Sequence, residues 1–142
     1  MLNILSILMI LKATVFFVPP TQADKICGED TNGCVFYSQY WTEDKTEYMD
    51  NNRIYLDYSS SDINQTLWHE VGHMLFDNDE KVQTITKDYK PLYFSRSDID
   101  EKTADYYAEY RLNNKSFSVK YPILYIYFRD FETGLQNIWR IE

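Results

Sequence analysis

The chain has 142 residues, of which 44% are apolar and 17% aromatic, and its 14 Lys and Arg against 22 Asp and Glu give a net charge of −8. This composition is typical of one folded domain and excludes a disordered chain. The acidic balance argues against nucleic acid and anionic membrane surfaces as partners, because both carry negative charge themselves.

The first 23 residues have the character of a secretory signal peptide. Two apolar stretches lie on either side of Lys12, and the segment ends in small residues at Ala23, as cleavage by signal peptidase requires. Because Lys12 interrupts the apolar run, an uncleaved anchor is the alternative. We predict a signal peptide over residues 1–23, one domain over residues 24–142, and a secreted or extracytoplasmic product with no stable membrane association after cleavage.

The chain contains two cysteines, Cys27 and Cys34, separated by a segment rich in turn-forming residues. In an oxidising compartment this short segment is expected to close as a disulfide-bonded loop. On the chain-entropy model, such a loop stabilises the fold by about 2–3 kcal/mol. Two unpaired thiols are the alternative, and the spacing gives no indication of a cysteine metal site.

Two segments that follow are predicted strands. Residues Cys34–Trp41 and Arg53–Ser59 are rich in β-branched and aromatic side chains, which favour extended structure. In the second segment, Ile54, Leu56 and Tyr58 alternate with more polar positions. This period of two predicts a strand with one buried face.

Helices are predicted in the second half of the chain. Residues Ile63–Phe76 place apolar side chains at helical spacing after several candidate N-cap residues. A second helix is predicted from Asp98 to Leu112, with acidic residues in its first turn. Residues 77–97 show no clear period and are interpreted as a long connection, with a short strand around Val82–Thr86.

The C-terminal segment Tyr121–Trp139 favours a third helix. Pro122 suits a first helical position, and large apolar residues follow at spacings that fit one helical face. Residues 123–128 alone are also compatible with a buried strand.

The sequence HEVGH at residues 69–73 matches the HExxH motif. On a helix, His69 and His73 lie on one face about 6 Å apart along the axis, so both imidazoles can reach one metal ion. Glu70 projects beside them, in the position of a general base for a metal-activated water. Two satisfied surface histidines are the structural alternative.

A catalytic zinc ion needs a third protein ligand, and the chain has no third histidine. The second predicted helix offers Glu101 and Asp105, one turn apart, and the small Ala104 beside them matches Gly72 on the first helix. We assign Glu101 to the metal and Asp105 to the far nitrogen of a ligand histidine. Asp105 as the ligand, with Glu109 behind it, is the alternative.

The motif HEVGH, followed by ExxAD at residues 101–105, resembles the pattern of gluzincin zinc peptidases, which include thermolysin-like enzymes and the minigluzincins. The resemblance covers about residues 53–112. It implies an α+β fold, a minimal zincin-like domain with a small β-sheet, a second glutamate-bearing helix and a C-terminal helix. It also implies that the strand Arg53–Ser59 is an edge strand over the HExxH helix and binds substrate as an added antiparallel strand.

Two further segments, Ala108–Leu112 and the pattern Pro122-x2-Tyr125-x2-Phe128, are similar to the peptidase domain of anthrax lethal factor and of the secreted Pro-Pro endopeptidases. In those families a tyrosine shortly before the third ligand stabilises the oxyanion. Tyr93 is the matching residue, and its spacing from Glu101 is one residue longer than in the families. A packing role for Tyr93 is the alternative.

We therefore expect a monomeric, secreted endopeptidase that holds one Zn²⁺ ion, acts on peptide or protein substrates and uses Glu70 as general base. One alternative is a catalytically silent zinc-binding effector or binding module. Another is a latent peptidase in which the segment Phe117–Trp139 covers the cleft. An open groove between the Arg53–Ser59 strand and the motif helix would favour the active enzyme.

Overall fold

The structure, a computed structural model, describes residues 2–37, 52–89 and 95–141. In these ranges seven helices accompany one three-stranded mixed sheet, which confirms the predicted α+β class. In chain order the elements are α1 (Ile4–Ile10), β1 (Ala13–Val18), α2 (Pro20–Cys27), β2 (Gly33–Phe36), β3 (Asn52–Asp57), α3 (Ile63–Phe76), α4 (Glu80–Tyr89), α5 (Arg96–Leu112), α6 (Asn114–Lys120) and α7 (Pro122–Ile141). None of the described helices has the length and apolar character that crossing a membrane requires.

The N-terminal segment is folded against the rest of the domain. Ile7 of α1 is fully buried, and β1 pairs in parallel with β3 along its whole length. The side-chain amide of Asn52 donates a 2.6 Å hydrogen bond to the carbonyl of Leu11. The structure thus shows this segment as part of the folded domain. Cleavage after Ala23 would remove β1 from the sheet, and the signal peptide remains a prediction.

The strand order is β1-β3-β2, so β3 lies in the centre of the described sheet. Ile54 and Leu56 are fully buried as their alternation predicts, whereas Tyr58 lies beyond the strand and is exposed. The expectation that Arg53–Ser59 is an edge strand is wrong, because β1 occupies the side of β3 that faces away from β2. The edge strand beside the motif helix is β2.

The predicted disulfide between Cys27 and Cys34 is present, and it joins the end of α2 to β2. Of the predicted strand Cys34–Trp41, the structure shows β2, and residues 38–41 lie outside the described ranges. At the start of β2 the chain passes so close to α3 that a Cβ on Gly33 would lie 2.9 Å from a methyl of Thr66. Glycine at this position lets the edge strand lie directly against the motif helix.

The helix α3 spans the residues that the sequence predicts. Asp62 caps it by accepting a 3.2 Å hydrogen bond from the backbone N–H of Gln65. Val71 and Leu75 are buried toward the core, and the helix ends at Phe76. This leaves the face that carries the two histidines turned away from the core.

The helices α3 and α5 approach each other closely at Gly72. A Cβ built on Gly72 would lie 3.0 Å from the Cα atom and 3.3 Å from the Cβ atom of Ala104. The pairing of these two small residues agrees with the sequence interpretation. It brings the backbone of α5 near enough to α3 for carboxylates of one helix to reach histidines of the other.

We expect Gly72→Val to destabilise the protein by about 1–3 kcal/mol, because the added side chain must push α5 away from α3. Urea unfolding of the two proteins measures this difference. Lys87→Val adds a branched side chain at an exposed position of α4 and should change stability by less than about 0.5 kcal/mol. Equal stability of wild type and Gly72→Val would contradict the close approach.

The helix α4 corrects a prediction, since residues 77–97 were expected to form a connection with a strand at Val82–Thr86. The carboxylate of Asp79 accepts hydrogen bonds from N–H groups of the first turn. Val82 and Thr86 lie one turn apart and are both buried. The hydroxyl of Thr86 bonds the hydroxyl of Thr103 on α5 at 2.9 Å. Capping and packing outweigh the strand preference of these β-branched residues.

The C-terminal helices α6 and α7 pack against α3 and α5. The helix α7 confirms the helical interpretation of Tyr121–Trp139 over the strand alternative, and α6 was not predicted. Arg111 of α5 pairs with the buried Glu132 of α7 and lies 4.0 Å from the ring centre of Trp68. An aromatic core fills the space between α3, α5, α6 and α7, and it comprises Phe76, Tyr107, Tyr110, Phe117, Phe128 and Phe131.

Candidate metal centre

His69 and His73 project from one face of α3, and their Nε2 atoms lie 3.1 Å apart. Their side chains are 15% and 11% exposed, so each imidazole is largely shielded from water by its neighbours. Four residues make slightly more than one helical turn, which explains why both rings reach the same point. The spacing of the motif is therefore realised as a pair of converging nitrogen atoms.

Glu101 of α5 completes this group. One oxygen of its carboxylate lies 3.0 Å from Nε2 of His69, and the other lies 3.0 Å from Nε2 of His73. A donor atom from each of the three residues can be chosen so that all lie within 4.8 Å of one another. This His-His-Glu group could hold a metal ion. Glu109, the acid behind the alternative ligand, lies 3.9 Å from the ammonium of Lys120.

The other ring nitrogens have carboxylate partners of their own. Nδ1 of His69 lies 2.7 Å from Asp105, and Nδ1 of His73 lies 2.8 Å from Asp77. A carboxylate that accepts a hydrogen bond from Nδ1–H keeps Nε2 available as a metal ligand and fixes the orientation of the ring. The structure thus brings Asp105 to the position proposed for it, and it adds Asp77 for the second histidine.

Sequence reasoning missed Asp77, which was interpreted only as the end of the helix. The available signal was its position one turn after His73, where a carboxylate can reach the imidazole from the same helix face. A carboxylate that ends a helix one turn after a metal-binding histidine is therefore a candidate partner of that histidine.

The carboxylates dominate the electrostatics of the site. Burial lowers the pKa of His69, but the contacts with Asp105 and Glu101 outweigh this effect and raise the pKa to about 9. Burial also lowers the pKa of His73, but the carboxylates of Asp77 and Glu101 outweigh this effect and raise the pKa of His73 to about 10. The two imidazoles hold the pKa of Glu101 well below its usual range. The site therefore stabilises positive charge between Glu101 and the two rings.

We expect metal binding to release protons and to weaken as the pH falls. With no metal bound, the pKa values of His69 and His73 are raised to about 9 and about 10. A pH of 7.5 lies below both values, so both imidazoles are protonated. A metal ion must displace these protons, which gives a release of about two protons per ion. A pH indicator measures the release as metal is added in weak buffer. An affinity that does not change between pH 6 and pH 8 would contradict this electrostatic picture.

Glu70 lies beside the histidines and is 7% exposed. Burial raises its pKa, although the neighbouring imidazoles oppose the shift. A carboxylate with a raised pKa accepts a proton more readily, as a general base must. Tyr93, the candidate for stabilising the oxyanion, lies outside the described ranges.

A cleft of about 520 Å³ lies in front of these residues. Among the described residues, those that line it come from β2 and its flanks, from α3 and from α5, and none comes from Phe117–Trp139. Glu101 and Asp105 are 59% and 49% exposed, so solvent reaches the centre. The cleft lies between β2 and α3, and not between the Arg53–Ser59 strand and the motif helix where the sequence interpretation placed it. The described residues do not show the covering arrangement of a latent peptidase.

Comparisons with known proteins give this site no independent support. No protein-family model, no curated protein and no solved structure matches the chain.

Proposed function

We propose that the chain is a zinc-dependent endopeptidase, secreted or otherwise extracytoplasmic, which holds one Zn²⁺ ion. The observation that carries the proposal is the convergence of His69, His73 and Glu101 within 4.8 Å, with Glu70 next to them in the cleft. Two imidazole nitrogens and one carboxylate form a donor set that suits catalytic zinc. The disulfide supports an oxidising compartment.

When bound, zinc supplies Lewis acidity, which polarises a carbonyl group and lowers the pKa of water toward neutrality. Glu70 takes the proton from the attacking water and delivers it to the leaving amine. Asp105 and Asp77 hold the two imidazoles in the tautomer that presents Nε2 to the centre. Tyr93 remains our candidate for donating a hydrogen bond to the carbonyl oxygen as negative charge develops on it.

We propose that an extended substrate binds along the edge strand β2. The strand pairs with β3 on one side, and its residues Gly33, Cys34 and Val35 line the cleft. A peptide that adds to this strand gains backbone hydrogen bonds without a requirement for particular side chains. Its scissile bond can then lie near the histidines, because β2 packs directly on α3.

Hydrolysis of a mixed peptide library by the 142-residue protein tests the proposal. We expect mass spectrometry to find internal cleavage products whose masses account for the addition of one water. A chelator should abolish their formation, and added zinc should restore it. Zinc bound at the centre without cleavage of any peptide would favour the silent binding module. No zinc binding would reject the proposal as a whole.

A further inference from the structure

Tyr37 connects the edge strand to the metal centre. It follows β2 directly, and its hydroxyl donates a hydrogen bond to one carboxylate oxygen of Asp77. The other oxygen of Asp77 lies 2.8 Å from Nδ1 of His73. One carboxylate thus bridges the tyrosine that follows β2 and a histidine of the motif on α3.

Asp77 needs such partners for an electrostatic reason. It is the C-cap of α3, where the exposed carbonyl groups of the helix disfavour a negative charge. Its side chain is 16% exposed, so water gives it limited compensation. Hydrogen bonds from the tyrosine hydroxyl and the imidazole offset both costs and fix the carboxylate at both of its oxygens.

We propose that Tyr37 is a positioning residue for the metal centre, which fixes Asp77 and through it the ligand His73. This inference rests on the proposed function, since it concerns the same metal. It also gives β2 a second role. The disulfide holds the strand to α2 at Cys34, and Tyr37 holds its other end to α3. The proposed substrate-binding strand β2 and the ligand His73 are therefore fixed relative to each other.

The test compares Tyr37→Phe with wild type in the 142-residue protein loaded with zinc. Removing the hydroxyl should accelerate zinc release to a chromophoric chelator by up to about 10-fold, the lower end of the roughly 10- to 100-fold effect of losing the direct partner of a ligand, because Tyr37 acts on His73 through Asp77. The visible spectrum of the Co²⁺-substituted protein should also change, because the orientation of His73 changes. Tyr58→Phe removes a hydroxyl from an exposed tyrosine next to β3 and should change neither quantity.

A double-mutant cycle separates positioning from general destabilisation. In the Asp77→Asn background, Tyr37→Phe should add little to the rate of zinc release, because both changes break the same chain of contacts. Unfolding of the metal-free protein by urea measures any purely structural role. Release at the wild-type rate, fully additive effects in the cycle, or an unchanged Co²⁺ spectrum would overturn the inference while the proposed function stands. A wild type that binds no zinc would overturn both.

Discussion

Glu70→Gln is expected to retain zinc and to lose peptide hydrolysis by a factor of about 100 or more. Glutamine keeps the size of the side chain but cannot accept the proton of the attacking water. Glu70 is buried beside the histidines and does not belong to the His-His-Glu group. Its replacement therefore leaves the three proposed ligands in place. Metal retained with activity lost is therefore the expected pair of results.

Zinc content and hydrolysis of the peptide library are measured on the same samples of wild type and variant. Glu80→Gln makes the same chemical change at an exposed position of α4 and should behave as wild type. If Glu70→Gln hydrolyses peptides at the wild-type rate, Glu70 is not the general base. If it loses zinc as well, the loss of activity no longer identifies a proton-transfer role.

His73→Ala is expected to lose both zinc and hydrolysis, because two protein ligands hold zinc poorly. The zinc affinity should fall by more than the roughly 10- to 100-fold loss that follows when a residue hydrogen-bonded to a metal ligand is removed. The substitution also removes the imidazole that contacts both Asp77 and Glu101. We therefore expect the largest effect on metal binding among the variants considered.

Equilibrium competition with a chelator measures the zinc affinity of His73→Ala. Asp105→Asn is the graded comparison, since it keeps the three proposed ligands and alters only the partner of His69. Its affinity should lie between those of wild type and His73→Ala. Zinc bound by His73→Ala as tightly as by wild type would remove His73 from the ligand set, and the motif would then need another explanation.

Features encoded over a few neighbouring residues were predictable. Helix α3 follows from its cap and its apolar spacing, and the convergence of His69 and His73 follows from helical geometry alone. The approach of α5 is a contact between distant segments, yet the small residues Gly72 and Ala104 signalled it. These predictions depend on local periodicity or on side-chain size, and both are visible in the sequence.

The remaining features depend on contacts between distant segments. An apolar run such as Ala13–Val18 suits a signal peptide and a β-strand equally well, and its parallel pairing with β3 leaves no local signal. Tyr37 and Asp77 are 40 residues apart in sequence and meet only in the folded domain. In α4, the β-branched residues Val82 and Thr86 are helical because both are buried and because the hydroxyl groups of Thr86 and Thr103 form a hydrogen bond.

Titration of the metal-free, 142-residue protein with zinc tests the central claim most directly. Peptide hydrolysis should rise in proportion to added zinc and stop rising at one ion per chain, because one His-His-Glu group holds the ion that the reaction needs. Hydrolysis that does not depend on zinc, or no hydrolysis when one ion is bound per chain, would contradict the account.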